Sequence, residues 1–202
     1  MALRRSPGAP AGVASNGGVT GVLQPPLLVL DVDGVLNPFA MGDVPAAGAF
    51  DDFEPCAARG FVLRLSRTMG RALVRLPAEL CWATTWAESV DRDVAPRCDL
   101  PPGLRVAARP PAEPAALLVN WKLVQVRRLV ETLRRPFVWV DDDALGWPGP
   151  DGEDAHAWAA RCELPNLLLA PDPATGLTAG EIGQIATFLA SLHPSPAGRP
   201  AP

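Results

Sequence analysis

The amino-acid sequence predicts a single α/β domain built around a parallel β-sheet. Short apolar runs alternate with segments of helical periodicity, which is typical of strand–helix–strand units. Two apolar runs end in neighbouring aspartates, one in Asp31 and Asp33 and a later one in Asp141 and Asp142. The carboxyl ends of parallel strands are where such sheets carry their functional groups. With 202 residues, the chain is long enough for one full core and too short for two ordinary domains.

The domain is expected to span residues 27–192. Residues 1–26 and 193–202 are dominated by Ala, Gly, Pro and Ser and lack apolar periodicity, so both tails are predicted to be disordered. Residues 6–20 contain no continuous apolar stretch, which argues against a secretory signal. No apolar run approaches the length of a membrane span, so we expect no membrane partner.

Charge and cysteine content narrow the class of protein further. The net charge of −4 argues against bulk attraction to nucleic acid, although not against a local basic patch. The four cysteines are scattered and form no CxxC pair, which favours reduced thiols over a disulfide framework or a zinc site. We therefore expect a cytoplasmic protein whose chemistry depends mainly on carboxylates.

The first strand is predicted at residues 27–30, an apolar run that follows Pro25 and Pro26. If the strand continued, Asp31 and Asp33 would share one side of it, because side chains alternate along a strand. Gly34 permits the sharp turn that can aim both carboxylates at one ligand. Since two neighbouring carboxylates repel each other, the pair requires a cation or a proton.

The next part of the chain is predicted to contain two helices and three strands. In order, we expect a loop or small flap at 38–60, a short strand at 61–65, a helix from the N-cap Ser66 to Leu76, a buried strand at 79–83, a helix at 88–97 and a short strand at 104–107.

An amphipathic helix is predicted from the N-cap Asn120 to about Arg134, after a proline-rich loop at 110–114. Val119 and Val124 occupy the positions of a hydrophobic staple, which puts Lys122 in the first helical turn. The residues expected to face the core are Trp121, Val124, Leu129 and Leu133.

The last part repeats the strand–helix pattern. We expect a buried strand at 137–140 that ends in Asp141, Asp142 and Asp143, a helix at 154–161, a strand at 166–170 and a helix at 178–192.

Four stretches, in their order along the chain, resemble the motifs of the haloacid dehalogenase-like (HAD) phosphohydrolase superfamily. They are Asp31-Val32-Asp33-Gly34-Val35, then Trp82-Ala83-Thr84, then Lys122, and finally Val138-Trp139-Val140-Asp141-Asp142. The resemblance covers nearly the whole predicted domain. The Trp-Ala-Thr-Thr-Trp and Trp-Val-Asp-Asp stretches are also similar to a bacterial HAD branch linked to RNA repair.

This resemblance implies a doubly wound, mainly parallel, five-stranded Rossmann-like sheet in which the strands of the first and fourth motifs are neighbours. It also implies a Mg²⁺-dependent phosphatase that works through an aspartyl-phosphate. Asp31 would be the nucleophile and Asp33 the general acid and base, while Thr84 and Lys122 would hold the phosphoryl group. The expected Mg²⁺-binding residues are Asp31, Asp33, Asp141 and Asp142.

Elementary chemistry supports the same roles. Like charges about 4 Å apart repel by about 4 kcal/mol at an effective dielectric constant of about 20, so converging carboxylates need a cation. Oxygen ligands without His or Cys favour Mg²⁺ over zinc. Lys122 is the only lysine in the sequence. Two positions stay open, because Thr85 competes with Thr84, and Asp143 leaves the register of the acidic pair uncertain; we take Asp143 as a residue outside the ligand set.

Aromatic and basic residues near these motifs could have a structural role or could bind the substrate. Trp82 lies within a strand and is expected in the core, whereas Trp86 is as well suited to stacking on a substrate base or sugar. The stripe formed by Arg64, Arg67, Arg71 and Arg75 is more typical of a solvated helix face than of a polyanion site.

Substrate size follows from the short intervals between motifs. HAD proteins often insert a cap domain there, but residues 38–60 can hold only a flap and residues 109–119 are too few for a domain. An open site excludes water poorly, so we expect a large substrate, either a nucleic-acid end or a phosphoprotein, or a partner protein or second copy that covers the site. A small-metabolite phosphatase and a non-hydrolytic phosphoacceptor module of the receiver type are the alternatives.

Overall fold

The computed structural model of the protein describes residues 24–39, 50–113 and 120–192. Most of the two tails that the sequence predicts to be disordered, residues 1–23 and 193–202, lies outside these ranges, as does Val119 of the predicted staple. Within the described ranges, no helix combines the length and the apolar character needed to cross a bilayer.

Within the described residues the chain forms seven strands and five α-helices. The strands are β1 (Leu27–Leu30), β2 (Phe53–Ala58), β3 (Phe61–Ser66), β4 (Glu79–Ala83), β5 (Arg105–Ala108), β6 (Phe137–Val140) and β7 (Asn166–Leu169). The helices are α1 (Arg67–Val74), α2 (Val90–Asp93), α3 (Trp121–Leu133), α4 (Ala155–Arg161) and α5 (Ala179–Ser191).

Five of the strands form one parallel sheet in the order β5-β4-β1-β6-β7. The chain winds outward from β1 through β4 to β5 and then returns to the other side of β1 for β6 and β7. The strand order therefore reverses between β1 and β6, and a crevice for ligands opens at their carboxyl ends. The predicted α/β fold, with the strands of the first and fourth motifs side by side, is confirmed.

Helices cover both faces of this sheet, which explains why its central strands β1 and β6 are apolar throughout rather than alternating. In β1, Leu28 and Leu30 join the core on the face covered by α1, α2 and α5, whereas Leu27 and Val29 join the core beneath α3 and α4. All four of these side chains are fully buried.

Within the predicted loop or small flap at 38–60, residues 53–58 form a strand that the sequence analysis did not predict. β2 pairs antiparallel with β3, and Ala58 lies opposite Phe61, so Arg59 and Gly60 form a two-residue turn. Both turn residues have positive φ, 50° and 81°, as the usual two-residue hairpin turns require. β2 is hard to predict from the sequence for two reasons. It lacks the alternation of apolar and polar residues that is typical of a half-buried strand, and it contains Pro55.

The predicted helix at 88–97 is also wrong as a continuous element. The chain forms a 3-10 turn at Ala87–Ser89, the short α2, and a second 3-10 turn at Ala95–Arg97. Pro96 has no N–H to donate to the carbonyl of Arg92, so an α-helix cannot continue through it with its full set of hydrogen bonds. α2 accordingly ends at Asp93, and Pro96 lies in the second 3-10 turn.

The core-facing side of α3 differs from the prediction. Val124 is 43 % exposed, and the buried apolar positions are Leu123, Val126 and Val130. Trp121, Leu129 and Leu133 are only partly buried at the edge of the same core. The hydrogen bonds of the first turn, and not hydrophobicity alone, set the rotation of this helix.

Candidate active site

The register of the sheet brings the two acidic strand ends together. Leu30 of β1 lies opposite Val140 of β6, so the next residues, Asp31 and Asp141, leave the sheet side by side. The backbone N–H of Asp31 donates to the carbonyl of Val140 at 3.1 Å, which continues the pairing one step past the strands. The two carboxylates predicted from separate parts of the sequence thus meet at the crevice.

Three carboxylates form a cluster at this point: Asp31, Asp141 and Asp142 have oxygens that all lie within 4.8 Å of one another. Asp141 is fully buried and Asp31 nearly so. Burial raises the pKa of Asp31 to about 7 even though Lys122 opposes the shift, and the negative charge of Asp141 adds to it. Burial, again with the charge of Asp141, raises the pKa of Asp142 to about 6. Such a cluster favours binding of a proton or a cation.

Gly34 makes the close approach of Asp142 possible. Its φ of +71° lies in the left-handed region that residues with a Cβ rarely adopt. A Cβ at this position would lie 2.2 Å from Cγ of Asp142, which is far inside van der Waals contact. The glycine after the first aspartate pair is therefore required both by the turn and by the neighbouring carboxylate.

Lys122, in the first turn of α3, forms ion pairs with two carboxylates of the cluster. Its Nζ donates to Oδ2 of Asp141 at 2.8 Å and pairs with Oδ2 of Asp31, and the residue is only 8 % exposed. Burial alone would lower the pKa of Lys122, but the charges of Asp31 and Asp141 raise it above its usual value. The lysine is thus a fixed positive charge between two buried carboxylates.

The first turn of α3 is anchored by Asn120, and this anchor determines where Lys122 points. The Asn120 side chain accepts from the N–H of Leu123 at 2.9 Å, as an N-cap does, and it donates to the carbonyls of Ala144 at 2.6 Å and Trp147 at 2.8 Å. These bonds tie the helix to the loop after β6. They rotate the helix so that Lys122 and Leu123 face inward and Val124 faces out.

Asp33 lies beside the cluster rather than in it. Its Oδ1 accepts from the amide of Asn37 at 2.9 Å, and its Oδ2 accepts from the indole N–H of Trp86 at 2.9 Å. Its expected role as a metal ligand stays a prediction, since among the described residues the carboxylates close enough to share an ion are Asp31, Asp141 and Asp142. Asp33 is held by two donors at the mouth of the site.

Asn37 and Trp86 are functional candidates that the sequence reasoning missed or left undecided. Asn37 also accepts from the backbone N–H of Arg64 at 2.9 Å, so it connects Asp33 to β3. Trp86 is more than a core residue and is not a free stacking surface, because its indole N–H binds the carboxylate of Asp33, 53 residues away in the sequence. Trp82 is fully buried, as expected. No spacing in the sequence could have paired Trp86 with Asp33.

The two neighbouring threonines lie in different environments. Thr84 is fully buried, and its Oγ1 accepts from the backbone N–H of Trp86 at 3.4 Å. Thr85 is exposed and lines the same 560 Å³ cavity as Asp31 and Lys122. Which of the two binds phosphate stays a prediction, and the exposed Asp143 lines this cavity as well.

The predicted arginine stripe is divided between two elements, with Arg64 in β3 and the other three arginines in α1 or at its C-cap. Arg67 pairs with Asp99, and Arg71 pairs with the same carboxylate at 2.7 Å. Two of the four arginines therefore hold α1 against the segment after α2, which fits a structural role better than a polyanion site.

Comparison with known proteins identifies the family. The family model described as "HAD domain in Swiss Army Knife RNA repair proteins" matches residues 27–182, a stretch that includes β1, the hairpin and the whole carboxylate cluster. The search of curated proteins and the search of solved structures each found no match. Because the family model covers most of the chain, the protein belongs to the HAD domains of Swiss Army Knife RNA repair proteins, within the HAD hydrolase superfamily.

Proposed function

We propose that the protein is a Mg²⁺-dependent phosphatase that removes the phosphate from a nucleic-acid end through an aspartyl-phosphate at Asp31. One observation carries this proposal. A nearly buried aspartate, a buried lysine and two further carboxylates converge at the carboxyl ends of two neighbouring parallel strands. Burying a cluster of charged side chains costs free energy. Its presence is best explained by a ligand that binds to these charges.

The residues present fit a magnesium ion. Asp31, Asp141 and Asp142 offer oxygen ligands only, and Mg²⁺ prefers carboxylate oxygens. Gly34 leaves the space that Asp142 needs to join the other two. Asp31, Asp141 and Asp142 would hold the ion. When bound, the ion offsets the repulsion between the carboxylates and an incoming phosphate.

In the proposed reaction, an Asp31 carboxylate oxygen attacks phosphorus, and the bond from phosphorus to the leaving oxygen breaks. Asp33 gives a proton to that oxygen. In the second step, water attacks phosphorus, Asp33 takes a proton from the water, and the bond to Asp31 breaks, which releases inorganic phosphate and restores the enzyme. Lys122 lowers the barrier by stabilising the added negative charge.

Two observations favour a large substrate with a nucleic-acid end. The cavity beside the cluster holds 560 Å³ and opens to solvent between exposed residues such as Thr85 and Trp147, so a large substrate can reach Asp31. The family is named for RNA repair proteins, and a nucleic-acid end is a phosphomonoester that such a site can accept. A phosphoprotein or a small phosphorylated metabolite would use the same chemistry.

The test is phosphate release by the purified protein with Mg²⁺. The substrates are oligonucleotides phosphorylated at the 5′ or the 3′ end, phosphopeptides and sugar phosphates. We expect the highest kcat/KM on an oligonucleotide end and no activity after chelation of the metal. Release of phosphate from none of these substrates would refute the phosphatase, and a preference for phosphopeptides or sugar phosphates would refute the substrate class.

A further inference from the structure

A second cavity of 490 Å³ lies on the other side of Asp33. Its walls come from the loop after β1, from the β2–β3 hairpin and from the segment after β4. It shares Asp33, Phe39 and Thr85 with the cavity that contains Asp31 and Lys122. A molecule can therefore place its phosphate at Asp31 and the rest of its structure in the second cavity, with the bridging oxygen near Asp33.

The walls of this second cavity are aromatic and apolar although they face solvent. Phe61 is 66 % exposed and Val62 is 71 % exposed, and Phe39 is exposed as well. These three side chains make up half of the large hydrophobic residues that are exposed in the described parts of the chain. Apolar side chains concentrated in this way around one cavity indicate a binding site.

Arg59 adds positive charge to the rim. Its guanidinium lies 5.7 Å from the centre of the Trp86 ring, and it donates to the hydroxyl of Ser89 at 3.3 Å. Among the described residues, Arg59 forms no salt bridge, unlike Arg67 and Arg71 on α1. The hairpin turn thus presents an exposed cation without a salt-bridge partner among the described residues, next to the Trp86 ring.

We propose that this cavity binds the base of the terminal nucleotide, the one that carries the phosphate to be removed. This inference rests on the proposed phosphatase function and specifies its substrate. Phe61 and Phe39 would stack on the base, as aromatic side chains do in sequence-tolerant recognition of single strands. Arg59 would contact the next phosphate along the strand. The side chain of a phosphoserine is too small to fill a cavity of this size.

The experiment compares two oligonucleotides that differ only in the phosphorylated terminal nucleotide, which carries a base in one and is abasic in the other. The variants are Phe61→Ser and Arg59→Ala; the matched controls are Val74→Ala and Arg75→Ala, exposed residues outside the cavity. The wild-type kcat/KM should be about tenfold higher with the base, the size expected for one stacking contact. Phe61→Ser should bring this ratio close to one, whereas Val74→Ala and Arg75→Ala should keep the wild-type ratio.

Binding gives a readout that does not depend on turnover. Fluorescence anisotropy with the inactive Asp31→Asn protein should show tighter binding of the base-bearing strand than of the abasic one. Arg59→Ala should weaken the binding of both strands and flatten its salt dependence, because it removes a phosphate contact. The two controls should leave binding unchanged.

The outcomes separate this inference from the proposed function. Equal hydrolysis and equal binding of the two oligonucleotides would overturn the inference and leave the phosphatase intact. Turnover of neither oligonucleotide nor acetyl phosphate, with tighter binding of the base-bearing strand, would overturn the phosphatase alone. A preference for a phosphotyrosine peptide that Phe61→Ser abolishes would overturn the assignment to nucleic acid.

Discussion

The carboxylate cluster and the β2–β3 hairpin lie on either side of Asp33 and are built in opposite ways. The cluster consists of groups that are mostly buried and are placed by the register of two central strands, with Lys122 brought in from a capped helix. The hairpin lies outside the main sheet and exposes Phe61 and Val62 to solvent.

This difference separates chemistry from recognition. Groups that transfer a phosphate must keep their geometry closely, which parallel strands at the centre of a sheet provide. A two-stranded hairpin can change its exposed residues without disturbing the core, because few of them pack against it. Substitutions in the cluster should therefore affect every substrate, and substitutions in the hairpin should affect only the preference among substrates.

The largest expected effect is that of Asp31→Asn. Loss of the nucleophile should reduce kcat by at least about 10⁴-fold on every substrate, because no other group can form the covalent intermediate. Fixed-time or single-turnover assays of phosphate release measure the loss of activity, and circular dichroism checks that the variant is folded. Asp51→Asn, at an exposed position near the hairpin, is the matched control and should keep full activity. Activity of the Asp31→Asn protein near wild type would exclude Asp31 as the nucleophile.

Without a divalent metal, the cluster should also make stability depend on pH. The pKa of Asp31 is about 7 in the folded protein and near 4 in the unfolded chain, so the unfolded state loses its proton first as pH rises. The contribution of Asp31 to stability should therefore fall as pH rises from about 4 to about 7.

The comparison of wild type with Asp31→Asn isolates this contribution, because asparagine resembles the protonated aspartate. Thermal melts in chelator should show the variant gaining stability over wild type as pH rises through this window, and Mg²⁺ should remove the gap. Phe61→Ser, on the hairpin side, should show no such gap. A wild type that gains stability relative to Asp31→Asn as pH rises would contradict the prediction.

Lys122→Ala should cost about 3 kcal/mol of transition-state stabilisation, or about 100-fold in kcat, as expected for one preorganised charge-stabilising group. The loss should be equal for acetyl phosphate and for oligonucleotides, because Lys122 contacts the cluster and not the second cavity. Arg128→Ala, an exposed cation on the same helix, is the control. A loss confined to one substrate would place Lys122 in recognition instead.

Two glycines with similar φ angles allow the carboxylate cluster and the hairpin to be compared by the same substitution. Gly34 has φ +71° and Gly60 has φ +81°, so alanine should cost each about 1–2 kcal/mol of stability. Only at Gly34 would the new Cβ meet a carboxylate; at Gly60 nothing lies within 4 Å. Gly34→Ala should therefore raise the Mg²⁺ concentration for half-maximal activity by about tenfold, since Asp142 is displaced. An equal Mg²⁺ requirement in both variants would argue against Asp142 as a ligand.

The sequence predicted the central strands of the sheet better than it predicted the β2–β3 hairpin. The strands β1, β4 and β6 are mostly buried on both faces, so their apolar runs could be recognised in the sequence. The aspartates that follow β1 and β6 could be placed with them. β2 has an exposed face and contains Pro55, and its pairing comes from a turn at Arg59 and Gly60 that carries no typical Asn-Gly signal.

The errors at the site come from contacts between distant parts of the chain. Hydrophobicity put Val124 in the core, but the bonds from Asn120 to the carbonyls of Ala144 and Trp147 rotate α3 the other way. The link from Trp86 to Asp33 spans 53 residues and depends on where the chain turns after β4. Residue type and spacing indicate candidate groups, whereas their orientation is decided by packing.

The smallest expected effect distinguishes Thr84, on the buried side, from Thr85, in the exposed cavity. If Thr84 binds the phosphoryl group, as the motif order predicts, Thr84→Val should lower kcat/KM about tenfold on all substrates, which is the cost of one hydrogen bond to a charged group. Thr85→Val should change it by less than about threefold. Serine at each position keeps the hydroxyl and serves as the control. The opposite result would assign the phosphate contact to Thr85, which already lines the cavity with Asp31 and Lys122.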